Sequence, residues 1–218
     1  SPQNGAKVYE NSLNVVVSFG PKEKGKGNVR TIKLQLDGKL VATHDNPANI
    51  KEGTHTFTLD IKDLPDGNHT LQALAYLGAE QGGHEGSSAV VTFTFSTVSG
   101  QIAQMEKDAQ EYEDYESFGW ATAYHLVELT ELGSTAVPQL LVTVQDKSKD
   151  WRMRDLLVSE VLSEIEDERI VPVLIEILND ANEKNKVRAT AADALGMQKD
   201  PQGVEPLINA LYLSGEDY

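Results

Sequence analysis

The chain has 218 residues, of which 39% are hydrophobic, and its formal net charge at pH 7 is −15. It contains no cysteine, which excludes disulfides, thiolate metal sites and a cysteine nucleophile. No apolar run approaches the roughly 18 residues that a membrane-spanning helix needs, so we expect no membrane insertion. The length predicts one or two modest domains.

The charge is divided unevenly between the two halves of the chain. Residues 1–98 hold 9 Lys and Arg against 10 Asp and Glu, whereas residues 99–218 hold 10 against 24. Binding to nucleic acid depends on cationic groups that displace counterions from phosphates, so we expect no nucleic-acid partner. Two interpretations of the acidic half remain: a solvated face that keeps the domain soluble, or a docking face for a basic partner.

The first half alternates apolar and polar residues, as in Leu13, Val15, Val17 and Phe19. A period of two predicts strands with one buried face. Asp37-Gly38 indicates a two-residue hairpin turn. The predicted strands lie near residues 7–10, 13–19, 29–37, 39–44, 54–61, 68–77 and 89–97. Seven short antiparallel strands predict a β-sandwich over residues 1–98.

Several segments of this half carry turn and core signals of a β-sandwich: Ser1 to Ala6, Ile32 to Gly38, Leu64 to Gly67 with the following His69 to Leu71, and Val91 to Phe95. Together they resemble a bacterial Ig-like domain. Such domains are common in exported and cell-surface proteins. The resemblance therefore implies a periplasmic or extracellular location, in the cell envelope.

From residue 99 the period changes to that of a helix. Ile102, Met105, Ala109 and Tyr112 recur at spacings of three and four, which predicts a capping helix at about residues 101–116 on a helical domain of residues 99–218. The crowded acids of this segment lack a calcium-binding loop, so we expect no metal site.

Three prolines, Pro138, Pro172 and Pro206, stand 34 residues apart, and each is followed by a Leu-rich stretch. This spacing indicates stacked helical hairpins. Pro is tolerated in the first turn of a helix, and Gly196 is expected to end one. The recurring residues that we assign to repeat structure are Pro138, Arg154, Pro172, Asp180, Arg188, Gly196 and Pro206.

The most complete unit, residues 171–196, resembles the HEAT-like repeat of the phycobilisome-lyase type, and the resemblance extends over about residues 117–218. It implies an α-helical solenoid that acts as an interaction scaffold. We do not expect lyase activity, because the chain offers neither cysteine nor other candidate chemistry. The predicted fold class is therefore multidomain, all-β plus all-α: an Ig-like β-sandwich followed by an α-helical HEAT-like solenoid.

Arg154 and Arg188 could contact an anion, but recurrence in successive units favours a structural role. We expect each arginine to reach an acid in a hairpin loop, Asp146 or Asp180, and to join neighbouring units. Trp120, Tyr124 and Trp151 could likewise form a recognition groove, but aromatic residues at helix starts are more often buried between layers, and we favour that interpretation.

Candidates for catalysis are few. The five histidines are scattered along the chain, and the Gly-rich stretch at residues 82–87 lacks the Lys of a phosphate-binding loop. No Gly-x-Ser-x-Gly elbow is present. We therefore expect no enzyme activity, no catalytic residues and no cofactor.

The sequence predicts a noncatalytic protein-interaction module or scaffold of the bacterial cell envelope. The second helix of each hairpin should line a concave side that binds a protein or peptide. The side chains expected to contact this partner are Trp151, Arg152, Asp155, Ser159, Lys186, Thr190 and Asp193. The alternative is an accessory fragment, either spacer or glycan-binding module, of a larger surface protein or enzyme.

The third proline unit supplies one helix, and Leu207, Ile208, Leu211 and Leu213 give it an apolar face. Solenoids need covered ends. Three alternatives remain open: this helix caps the preceding hairpin, the native chain continues beyond it, or a second copy of the chain covers it and forms a homo-oligomer.

Overall fold

The computed structural model describes residues 2–20, 29–46, 52–76 and 86–213. Its contacts divide the chain into two compact units, residues 1–97 and 98–218. This division lies one residue from the boundary expected at residue 98.

The first unit is built from two β-sheets. Its strands are β1 (Ala6–Val8), β2 (Ser12–Phe19), β3 (Thr31–Leu36), β4 (Lys39–Asp45), β5 (Gly53–Asp60), β6 (Gly67–Tyr76), β7 (Gly86–Ser87) and β8 (Val91–Phe95). One sheet has the order β1-β8-β6-β3-β4, with β7 also paired to β6, and the other consists of β2 and β5 among the described residues. All pairings are antiparallel except that of β1 with β8.

The period of two places one face of each strand in a shared core. Leu13 and Val15 of β2, Ile32 of β3, and Phe93 and Phe95 of β8 are all buried in one cluster between the sheets. Leu77, the predicted end of the sixth strand, lies outside the described residues. The short strand β7 was not predicted.

The second unit is helical. Its helices are α1 (Val98–Glu111), α2 (Tyr115–Glu131), α3 (Val137–Gln145), α4 (Trp151–Leu156), α5 (Ile170–Asn179), α6 (Asn185–Gln198) and α7 (Val204–Leu213). A π-helical segment, Leu157–Leu162, continues α4. Pro138, Pro172 and Pro206 all fall within the first three residues of a helix, as the repeat predicts.

Two predicted helix boundaries are wrong. The single helix expected at 101–116 is interrupted, because Asp114 accepts a hydrogen bond from the backbone N–H of Ser117 at 2.8 Å and so caps the start of α2. Gly196 lies inside α6 and does not end it. The helix instead stops at Lys199, which adopts the left-handed conformation with φ of 54°.

The helices form two layers around one apolar core. Helices α3, α5 and α7 contact one another in sequence, and so do α2, α4 with its π-helical extension, and α6. We call the second set the B layer. Val137 and Leu140 of α3, Leu157 of the π-helical segment, Leu174 of α5 and Leu195 of α6 are buried in the shared cluster. This arrangement places the second helix of each hairpin in the B layer.

Candidate interaction surface

Arg154 and Arg188 make equivalent backbone contacts 34 residues apart. The Nε–H of Arg154 donates to the carbonyl of Val144 at 2.8 Å, and that of Arg188 donates to the carbonyl of Leu178 at 3.0 Å. Each arginine thus fastens the second helix of a hairpin to the end of the first. The repeat in the sequence is therefore a repeat in hydrogen bonding.

The acid that Arg154 reaches differs from the one expected. Its guanidinium binds both carboxylate oxygens of Glu183, in the loop of the following hairpin, and not Asp146 or Asp180. Asp146 and Asp180 instead accept backbone N–H groups of their own turns, from Ser148 and Asn182. Burial alone would raise the pKa of Glu183, but the hydrogen bonds from Arg154 and from the Lys184 backbone lower it overall.

Arg152, expected to contact a partner, is buried. Its guanidinium donates to the carbonyls of Ala109, Tyr112 and Glu113 at 2.6–2.8 Å and pairs with Asp150. These carbonyls lie at the C-terminal end of α1, where a cation is favoured by the unpaired acceptors and the helix dipole. The Arg152 side chain therefore stabilises the end of α1 and is not available to a partner.

Asp155 and Thr190 are also part of the internal structure. Asp155 is 0% exposed. Its carboxylate accepts the Tyr115 hydroxyl of α2 at 2.5 Å and the Thr190 hydroxyl of α6, and Lys186 lies 4.0 Å away. One buried carboxylate thus connects all three helices of the B layer. Neither Asp155 nor Thr190 presents its side chain to a partner.

The other four predicted contact residues remain accessible to different degrees. Trp151 is half-buried and stacks on Tyr115 with ring centroids 5.9 Å apart. Ser159 is half-buried, while Lys186 and Asp193 are exposed on α6. They do not form a continuous apolar surface.

A different face of the B layer forms a continuous apolar surface. On α2, Trp120 is 77% exposed, Tyr124 is 55% exposed and Val127 is 56% exposed. The expectation that Trp120 and Tyr124 are buried between layers is therefore wrong. Their spacings of four and three place them on one side of the helix, and we call this row the α2 ridge.

The buried side of α2, opposite the ridge, explains why the ridge residues are exposed. Phe118, Thr122, Leu126 and Leu129 are buried and supply the contacts that α2 needs with the core. The ridge is a second apolar stripe, on the side of α2 that faces away from these buried residues. A sequence signal was present, because α2 carries apolar residues on two faces, whereas a solvated helix needs only one.

Two acidic side chains mark the ends of the ridge. Glu116 precedes Trp120 by four residues, Glu131 follows Val127 by four, and both are exposed. No Lys or Arg occurs in α2. The ridge is therefore apolar in the middle and negative at both ends.

The helical unit has two further polar sites. A cavity of about 590 Å³ lies between residues 163–168 and the end of α6, and its lining is dominated by acids such as Glu164, Glu166 and Asp200. Between α1 and α2, His125 contacts Gln101 and lies 3.8 Å from Asp108. Among the residues that the structure describes, no group of three or more His, Asp or Glu is arranged to hold a metal ion. His84 lies outside the described residues.

The sequence model for HEAT repeats matches residues 137–217. No curated protein matches the chain. Of the helices in the described ranges, none combines the length and apolar character needed to cross a bilayer.

Solved structures match 44% of the chain. A Jonesia denitrificans lytic polysaccharide monooxygenase is 19% identical with a TM-score of 0.27, and the alignment covers 59% of its length. A mouse leukocyte-associated immunoglobulin-like receptor domain is 12% identical over 90% of its length with a TM-score of 0.30, and a Clostridium thermocellum CbhA fibronectin(III)-like module is 12% identical over 92% with a TM-score of 0.27.

The chain combines two β-sheets that share one apolar core with an α-helical region that matches the HEAT-repeat model over residues 137–217. HEAT repeats suggest a protein-interaction module. The phycobilisome-lyase type of the repeats and the bacterial source of the chain remain predictions.

Proposed function

We propose that this chain is a noncatalytic module that binds a partner protein through its HEAT-like domain. The observation that carries the proposal is the α2 ridge. A tryptophan that is 77% exposed beside an exposed tyrosine and valine is an unfavourable surface for a solvated helix. Burial of such aromatic residues dominates the binding energy of many protein interfaces.

The B layer supports the ridge on a rigid base. Asp155 bridges α2, α4 and α6, and Arg154 fastens one hairpin to the next. A surface whose backbone is already fixed loses little conformational entropy when a partner binds. The buried polar residues that were expected to contact the partner would thus act indirectly, by holding the contact surface in place.

The cell envelope is the location that we propose for this interaction, since the Ig-like fold of the first unit is common in exported proteins. Fractionation of cells that express the natural protein tests this point. Recovery in the periplasmic or extracellular fraction is expected, and recovery in the cytosol would contradict it.

The binding function is tested by affinity capture with the full chain as bait. Trp120→Ala/Tyr124→Ala should lose a partner that the unchanged chain retains. Val142→Ala is the matched control, because Val142 is 68% exposed on α3, outside the B layer. Equal capture by all three proteins would contradict the ridge as the binding surface.

A second exposed apolar face lies on α7, where Val204, Ile208, Leu211 and Tyr212 are exposed. Self-association through α7 is a separate proposal. Sedimentation of the unchanged chain and of Leu211→Glu tests it: the variant should sediment as a smaller species, and equal sedimentation would contradict it.

A further inference from the structure

We infer that the α2 ridge binds a basic amphipathic helix of the partner, with apolar residues in its middle and Lys or Arg at both ends. This inference rests on the proposed function and specifies the chemistry of the partner. Its basis is the order of the side chains along α2: Glu116, Trp120, Tyr124, Val127 and Glu131. These five residues follow one another at intervals of three or four.

The shape of the ridge suits a helix. From Glu116 to Glu131 the row extends over about 22 Å at 1.5 Å per residue. A partner helix of four turns presents an apolar stripe of the same length, with residues at intervals of three and four. Packed along α2, its apolar side chains would cover Trp120, Tyr124 and Val127 together.

The charges specify the ends of the partner. Besides Glu116 and Glu131, the exposed acids Glu113 and Asp114 precede the ridge, and Glu160 is exposed on the neighbouring π-helical segment. Lys or Arg at the ends of a bound helix would meet these carboxylates at the rim of an apolar contact. Rim charges of this kind accelerate association and select partners more than they add affinity.

The same charges argue against a second copy of this chain as the occupant. Two α2 ridges packed antiparallel would place Glu116 of each copy beside Glu131 of the other, and a parallel arrangement would pair like residues. Both arrangements bring carboxylates together at the ends of the contact, which is unfavourable. A basic helix removes this repulsion and replaces it with attraction.

The probes are two synthetic helical peptides of about 18 residues, long enough to span the ridge. Both carry Leu at intervals of three and four in the centre; one has Lys at its ends and the other has Glu. The chain contains two tryptophans, Trp120 and Trp151, so its proton–nitrogen NMR spectrum should contain two indole N–H signals. The variant Trp120→Phe lacks one of them and thereby assigns both. Titration of the full chain with the Lys peptide should shift the Trp120 signal more than that of Trp151, which stacks on Tyr115 beside one end of the ridge.

Binding constants then separate the apolar and charged contributions. Trp120→Ala should weaken Lys-peptide binding at least about tenfold, as expected for loss of an interface anchor. Glu116→Gln/Glu131→Gln should weaken it about threefold and reduce its salt dependence. Two controls should bind as the unchanged chain does: Val142→Ala, and Glu168→Gln/Glu205→Gln, which removes two exposed acids elsewhere.

Several outcomes would overturn the inference: equal binding of the Lys and Glu peptides, equal loss in both charge variants, or a dimer of the unchanged chain that Trp120→Ala dissociates. If affinity capture depends on Trp120 but the Lys peptide does not bind there, the proposed function stands and the basic-helix partner is wrong. If neither depends on Trp120, both are wrong.

Discussion

Arg154 on α4 and Glu183 in the loop before α6 form an ion pair in which each side chain is only 3% exposed. The pair joins successive hairpins, because Arg154 also donates to the Val144 carbonyl of its own hairpin. One guanidinium thus fixes the angle within a hairpin and the position of the next. The HEAT-like domain depends on such contacts to hold its B layer in register.

Removal of either partner of this pair should strongly destabilise the helical domain. Arg154→Met leaves a buried carboxylate without its counterion, and Glu183→Gln leaves a buried guanidinium, each at a cost of about 3–5 kcal/mol. The free energy of unfolding, from urea titration followed by circular dichroism, measures this cost. The double variant should lose less than the sum of the single losses; additive losses would show that the pair is not coupled.

Asp155 should stabilise the B layer through its hydrogen bond with Tyr115. Tyr115→Phe removes that bond and should cost about 1.5–3 kcal/mol, the range for hydrogen bonds to charged groups. Burial, followed by the hydrogen bond to Asp155, raises the pKa of Tyr115 above its ordinary value near 10. The folded protein therefore retains the phenol proton where the unfolded chain loses it, and stability should fall as the pH rises above about 10.

The variant Tyr115→Phe is also the control for this loss of stability at alkaline pH. In Tyr115→Phe the part of the decline that Tyr115 causes should be absent, while that of the other tyrosines remains. Unfolding measured at neutral pH and above pH 10 gives the comparison. An identical pH dependence in both proteins would contradict the contact with Asp155.

In the β-sandwich, His44 of β4 and His55 of β5 stack with centroids 3.6 Å apart. Burial lowers the pKa of His55 below its ordinary value of 6.5, and the charge of His44 lowers it further. Because the unfolded chain binds this proton more readily, stability should be complete above about pH 6.5 and decline as the pH falls towards the folded pKa. Titration of the His55 ring by NMR should give a pKa below 6.5.

His44→Asn tests the cause. Removal of the neighbouring imidazole should raise the pKa of His55 towards its ordinary value and leave the contribution from burial. An unchanged pKa of His55 in this variant would show that the stacked pair is not electrostatically coupled.

Lys199 offers a stabilising substitution. Its left-handed backbone at the end of α6, with φ of 54°, is a conformation in which a side chain costs energy and glycine does not. Lys199→Gly should therefore raise the free energy of unfolding by about 0.5–1 kcal/mol. Lys107→Gly is the contrasting control, because Lys107 is exposed in the interior of α1, where glycine destabilises a helix. A loss of stability in Lys199→Gly would contradict the predicted effect.

Local signals predicted much of the fold. Asp37-Gly38 predicted a two-residue turn, and the structure ends β3 at Leu36, begins β4 at Lys39 and gives both turn residues positive φ. The 34-residue proline spacing likewise predicted helix starts at Pro138, Pro172 and Pro206. These features depend on residues adjacent in sequence, so the pattern alone contains the information.

The candidate site was less predictable because it depends on neighbours distant in sequence. The recurrence of Arg154 indicated a structural contact, but Glu183 lies 29 residues away and only the stacking of hairpins brings the two together. The sequence pattern predicts that Arg152 and Asp155 are polar surface residues, but in the structure they contact the end of α1 and the start of α2. Trp120 is exposed because Phe118 and Leu126 already provide the contact of α2 with the core.

The α2 ridge is the surface that we propose for partner binding. Photo-crosslinking tests this most directly, with a photoreactive phenylalanine analogue placed in the full chain at position 120 or 124, or at the control position 142. We expect a distinct protein to be crosslinked from positions 120 and 124 and not from 142. Crosslinking of that protein from position 142, with none from 120 or 124, would contradict it.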